Sequence, residues 1–148
     1  MPGDDGGERR GLLDTDILIL RRWIDPERLP TQMAISAVTL ADLSAGVHLV
    51  NGDDTAARDE RARRTDVLQR VESEFDPIPF DAEAARAFGR ISAAVSEGGR
   101  TPRRRVADLM IAAVAAAADL PLYTTNPDDF AGLAGIVRIV AVPRPSIR

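Results

Sequence analysis

Apolar positions in this chain fall into short blocks separated by polar punctuation, and the blocks alternate between two periods. Gly11-Leu12-Leu13 is a brief unbroken apolar run closed by Asp14, as expected of a strand buried on both faces. Ile17 to Ile24 is apolar over a longer reach and stops at Asp25-Pro26, which predicts a helix. Ala34 to Ser36 is a second short strand candidate, and Thr39 opens a helix to about Val50 with Asn51-Gly52 as its stop. Asp54 to Glu74 reads as a long polar helix with sparse apolar positions, so only a narrow stripe can pack. Pro77 to Phe80 is a third strand candidate, and Asp81 is placed to cap the helix that follows. In that helix Ala85, Phe88, Ile91 or Ser92, and Val95 recur at helical spacing, ended by Gly98-Gly99. After the basic segment Arg100 to Arg105, a helix is predicted over about Val106 to Ala118, with Leu109, Ala113 and Ala116 on one side. Leu122 to Thr124 is a strand, Asn126-Pro127 a turn, and Val137 to Val142 a last strand.

Strands alternating with helices, and strands too apolar to face water, predict an α/β fold with a parallel sheet covered on both sides. Residues 1–10, polar and Gly-rich, read as a disordered tail, and residues 11–148 as one domain.

Composition narrows the chemistry. Hydrophobic residues at 45% and charged residues at 28% suit an ordinary soluble domain. Cysteine is absent and His48 is the one histidine, which excludes thiolate chemistry and structural zinc. All 19 basic residues are arginine, so neither a P-loop lysine nor Schiff-base chemistry is available. A net charge of −4 does not mark a general nucleic-acid binder, and contact with phosphate would need a local patch. The start of the chain has no apolar h-region, and Ile111 to Leu120 is too short to span a bilayer, so a cytoplasmic protein is expected.

The candidate chemistry lies in acids placed at the ends of elements. Asp14 closes the first strand, Asp42 follows Thr39, Asp108 opens a helix, and Asn126, Asp128 and Asp129 follow the strand ending near Thr124. Ligands of open α/β sheets collect outside the carboxyl ends of the strands. Carboxylates gathered there repel one another unless a hard divalent cation holds them together. Each acid alone also has a plain role as a helix cap; Thr39-Leu40-Ala41-Asp42 has the form of a capping box with Asp in place of Glu. Ala112 and Ala115 share the face of Asp108 and leave room beside it.

Four segments in register carry a family resemblance. Leu12-Leu13-Asp14-Thr15-Asp16-Ile17-Leu18-Ile19, Ile35 to Leu43 with Asp42, Asp108-Leu109-Met110-Ile111-Ala112-Ala113, and Leu120 to Asn126 through Asp129-Phe130 resemble, in order, the acidic motifs of PIN-domain ribonucleases. The resemblance is in particular to the toxins of bacterial VapBC-type toxin–antitoxin modules, and it covers nearly everything from Gly11 to Val142. It implies a three-layer α/β/α PIN-like domain with a central parallel sheet. It further implies Mg²⁺- or Mn²⁺-dependent hydrolysis of RNA, a small cognate antitoxin whose tail covers the acidic site, and a homodimer. The catalytic residues carried over are Asp14, Asp42, Asp108, Asp128 and Asp129, with Asp14, Asp108 and Asp42 on the metal and Asn126 in support; Ser36 and Thr124 read as small polar groups that orient the carboxylates. Such chemistry requires no His, Cys or Lys, the residue types this chain lacks or nearly lacks.

Two positions depart from the family pattern. Asp42 stands where Glu is usual and is shorter by about 1.5 Å, one bond length. Asn126 stands where the family varies between Asp and Asn, so Asp128 or Asp129 is left to supply the last carboxylate. Asp16, two residues beyond Asp14, points to the other face unless the strand has already ended. Arg100, Arg103, Arg104 and Arg105 are either a solvated loop or RNA-phosphate contacts beside the acids. The arginines of residues 54–74 alternate with acids as on a solvated helix face, and His48 and Trp23 read as packing residues. Asp14-Thr15-Asp16 also resembles the start of haloacid-dehalogenase-type phosphatases, but Leu18 and the missing lysine count against that reading. The non-enzymatic alternative is a degenerate PIN domain that mainly binds a protein partner.

Overall fold

The computed structural model describes residues 9–97 and 106–146. Four strands, β1 (Arg10–Leu13), β2 (Gln32–Ala34), β3 (Leu122–Thr124) and β4 (Ile139–Ala141), form one sheet in the order β2-β1-β3-β4. Every pairing is parallel, as the unbroken apolar strands predict. Among the described residues five helices cover it: α1 (Thr15–Leu20), α2 (Ala37–His48), α3 (Thr55–Glu74), α4 (Ala82–Glu97) and α5 (Val106–Ala117). Among the described residues no helix is long and apolar enough to cross a membrane.

Strand alternation divides the core in two. Leu12 and Leu122 join α4, α5 and Phe130 on one face, while Leu13 and Tyr123 join α1, α2 and α3 on the other. Gly11 is needed on this second face because a Cβ there would lie 2.3 Å from Cε1 of Tyr123.

The structure moves several sequence expectations. The folded chain starts before Gly11: Arg10 is in β1 and Arg9 donates to the carbonyls of Glu27 and Leu29. Residues 1–8 of the expected tail lie outside the described residues. The helix expected over Ile17 to Ile24 starts earlier and ends at Leu20, continuing as a 3-10 turn over Arg21–Trp23. The third strand candidate reduces to one parallel bridge between Ile78 and Ser36. Ile78 donates to the Ile35 carbonyl and accepts the Ala37 amide, and the pairing stops there because the partner segment turns into α2 at Ala37. In α4 the buried stripe is Ala84, Ala87, Ile91 and Val95, with Ala85 exposed; Asp81 accepts the amide of Ala84 as anticipated. Ala112 and Ala115 are fully buried against the core, so their small side chains serve close helix packing and leave no room for a ligand. His48 is exposed, and Trp23 is 44% exposed with the Arg22 guanidinium stacked over its ring; neither is a core residue.

Candidate metal centre

The chain order places a crevice at the carboxyl end of β1. After β1 the chain crosses to β2 on one side and returns to β3 on the other, so the β1/β3 boundary is a topological switch point. Asp14 follows the last residue of β1 and Thr124 ends β3.

Asp14 is 4% exposed and does two jobs. One carboxylate oxygen caps α1 by accepting the Thr15 amide at 2.8 Å, and the other accepts the Thr124 hydroxyl at 2.8 Å. Burial pushes its pKa up to about 7; the Thr124 bond opposes this, and the charges of Asp108 and Asp16 raise it further. Asp108 sits in the first turn of α5, half-buried, within electrostatic reach of Asp14.

Asp42 arrives from α2, though not through a Thr39 cap. The N-cap is Ser36, whose hydroxyl accepts the Val38 amide at 2.8 Å, and α2 begins at Ala37. Ser36 therefore fixes the start of the helix that carries Asp42 and bonds to a backbone amide where a carboxylate contact was expected. Thr39 is a fully buried residue of α2. Thr15 Oγ1 lies 3.1 Å from Thr39 Oγ1 and 3.2 Å from Asp42 Oδ2. A hydroxyl has one proton, and the carboxylate takes it, so Thr39 donates to Thr15 and Thr15 to Asp42. Burial raises the pKa of Asp42, the Thr15 bond opposes the rise, and the Asp16 charge adds to it.

Asp16 resolves the conditional reading of its position. β1 has ended at Leu13, so Asp16 lies in the opening turn of α1 and joins the site, with its charge felt by both Asp14 and Asp42. Thr15 is the site residue that sequence reasoning passed over, and Asp16 was left to depend on where β1 ends. The available signal was Asp14 itself, a good N-cap that turns the next residues into a helix.

Asn126 follows β3. Its backbone N–H donates to Thr124 Oγ1 at 3.0 Å, and its side-chain nitrogen donates to Asp16. Asp128 and Asp129 lie in the 3-10 turn Pro127–Phe130, Asp128 exposed and Asp129 half-buried. Arg100, Arg103, Arg104 and Arg105 lie outside the described residues.

Segments from β1/α1, α2, α5 and the end of β3 thus meet in one crevice. Among the described residues no three His, Cys, Asp or Glu side chains already stand as a ligand cage for an ion. Asp14 and Asp42 each turn an oxygen onto a threonine hydroxyl instead. The donor chemistry nonetheless fits a hard divalent cation. Carboxylates, hydroxyls and an amide are oxygen donors, and a cation would offset both the burial and the neighbouring charges that raise Asp14.

Comparison with known proteins agrees with this geometry. Residues 12–136 match the model of the PIN domain family. The chain is 39% identical over 132 residues to Ribonuclease VapC5 of Mycobacterium tuberculosis (strain ATCC 25618 / H37Rv), covering 87% of this chain and 91% of that protein. It superposes with a TM-score of 0.75 and 38% identity on a crystal structure of VapBC-5, a member of the VapBC family of toxin-antitoxin systems from Mycobacterium tuberculosis, covering 90% of this chain and 98% of the other. VapBC2 from Rickettsia felis, crystallised with a promoter DNA fragment, shares the fold at a TM-score of 0.63 and 20% identity over 87% of this chain and 96% of its own. By these matches the chain belongs to the PIN domain family, as a VapC-type member.

Proposed function

We propose that this protein is a divalent-metal-dependent endoribonuclease, using Mg²⁺ or Mn²⁺, and the toxin of a toxin–antitoxin pair. The observation that carries the reading is Asp14: a carboxylate 4% exposed at the switch point of the sheet, held by Thr124 and crowded by the charges of Asp108 and Asp16. Burying such a group beside like charges costs stability, and a cation at the site converts that cost into affinity. The name of the relative Ribonuclease VapC5 supports RNA as the substrate, and VapBC-5 supports a small protein antitoxin as partner.

Asp14, Asp108 and Asp42 hold the metal in this reading. Held there, a divalent cation would supply an activated water and offset charge on the leaving oxygen of a phosphodiester. Thr124 orients Asp14 from β3, and the Thr39–Thr15 pair orients Asp42 from beneath. Thr15 gives Asp42 a fixed direction, which matters more for a side chain one methylene shorter than Glu. Arg100, Arg103, Arg104 and Arg105 immediately precede α5 in sequence and contact RNA phosphates in this reading. A homodimer completes it, and sedimentation of the purified chain measures that state.

RNA cleavage with Mg²⁺ or Mn²⁺, against EDTA, tests the proposal. Asp14→Asn and Asp108→Asn each abolish cleavage if the assignment is right; cleavage that survives both changes refutes it. Absence of any divalent-metal binding would instead favour a domain that works only by binding a protein.

A further inference from the structure

Asn126 occupies the N-cap position of the 3-10 turn after β3, yet its side chain makes no cap bond to that turn. It reaches instead to the other end of the domain's first motif. The side-chain nitrogen donates to Asp16 Oδ2 and lies 3.4 Å from Thr125 Oγ1. Its backbone amide donates to Thr124 Oγ1, and the Thr124 hydroxyl donates to Asp14. Asn126 and Thr124 therefore hold one acid each, Asp16 and Asp14, from the same stretch of backbone.

An amide here is the complement of a carboxylate at position 16. An N–H group faces a carboxylate favourably, whereas two carboxylates meeting at hydrogen-bond distance would repel. An amide also brings no charge to a cation. The carboxylate missing at the end of β3 is thus present across one hydrogen bond, on the first turn of α1. Asp16 is half-buried and its charge reaches both Asp14 and Asp42, which locates it on the site side of α1.

We propose that Asp16, oriented by Asn126, is a ligand of the metal centre, and that this pair supplies at the end of β3 the carboxylate that Asn126 alone lacks. The inference rests on the reading of the crevice as a divalent-metal nuclease site, and it assigns Asn126 as a positioning residue. Asp16 joins Asp14, Asp108 and Asp42, and the last carboxylate comes from α1 and not from the turn that bears Asp128 and Asp129.

Mn²⁺ titration of the full chain, followed by calorimetry or by the spectrum of free Mn²⁺, tests it without reference to cleavage. Asp16→Asn is expected to weaken Mn²⁺ binding by about tenfold or more, the scale on which changes around a metal site act. The exchanged pair, Asp16→Asn with Asn126→Asp, returns the carboxylate to the other side of the same hydrogen bond. Its affinity is expected to recover to within about threefold of the parent chain, well inside the loss seen for such sites. Parent-like binding by Asp16→Asn, or an exchanged pair no better than the single variant, overturns the proposal. Asp14→Asn and Asp108→Asn, titrated alongside, separate the two levels. Loss of binding in these with none in Asp16→Asn removes Asp16 alone, whereas unchanged binding in all three removes the metal-site reading. Melting in EDTA checks the fold of each variant. If Asp16→Asn does not fold, Asn126→Ala leaves Asp16 present but unheld, and unaltered Mn²⁺ binding by that variant overturns the proposal.

Discussion

Replacing Asp14 by Asn should stabilise the protein at alkaline pH in the absence of divalent metal, against the usual expectation for a buried, hydrogen-bonded residue. In the folded state the carboxyl is pushed up to about 7, against 3.8 for the unperturbed group. A folded-state pKa raised in this way gives stability that is fully present below the unfolded value. It is lost as pH rises, because the unfolded chain releases its proton first. The loss runs from about pH 4 to about pH 7 and, at roughly 1.4 kcal/mol per unit, amounts to about 4 kcal/mol on the alkaline side. Asn carries no charge to bury, but it offers one acceptor where Asp14 offers two, to Thr15 and to Thr124. Loss of the second acceptor costs about 1 kcal/mol. The parent has already lost about 1 kcal/mol at pH 4.5, so the variant is expected to melt close to the parent there. At pH 8 in EDTA the net gain of roughly 3 kcal/mol raises its Tm by about 6–12 °C. Mn²⁺ at a hundredfold excess over its Kd then returns about 2.7 kcal/mol to the parent alone, closing most of the gap. Thermal melts of both proteins at the two pH values, with EDTA and with Mn²⁺, read all four corners. A variant that melts at or below the parent at pH 8 in EDTA, or a gap that does not change between pH 4.5 and pH 8, refutes the reasoning.

Other consequences follow from single contacts. Thr124→Val removes the hydroxyl that opposes the upward shift of Asp14, so the acidic limb of the cleavage pH profile moves to higher pH, while Thr124→Ser keeps the parent profile. Thr15→Val takes the donor from Asp42 and lowers kcat with little change in KM, and Thr15→Ser restores it; equal activity in Thr15→Val and the parent would show that Asp42 needs no such guide. Gly11→Ala drives a methyl group into the Tyr123 ring and should cost about 1–3 kcal/mol in urea unfolding, the scale of overpacking. Glu74→Gln breaks the ion pair of Arg21 with Glu74, both partners about a third exposed or more, and shifts stability by less than about 1 kcal/mol.

How much of this was legible in the sequence depends on the range of the interactions involved. β3 and the start of α5 were readable to the residue or nearly so, because apolar runs and polar stops act locally. Pro77 to Phe80 resembled a strand by composition, but the segment it pairs with turns into α2 directly after Ser36, so only Ile78 finds a bridge partner. The four acidic segments were legible as a set, since each marks the end of an element that a parallel sheet must bring to one edge. Their internal order was not. Whether Asp16 faces the crevice turns on β1 ending at Leu13, a boundary set by Asp14 capping α1, and such boundaries shift by a residue or two on small energies. The bond from Asn126 to Asp16 spans 110 residues, and no local pattern encodes it. Thr15 and Thr39, 24 residues apart, become partners only once α1 packs on α2. A search confined to acids at element ends therefore finds the charges of the site and misses the hydroxyls and the amide that aim them. Those neutral groups decide which way each carboxylate turns, and hence which of the acids can meet on one ion.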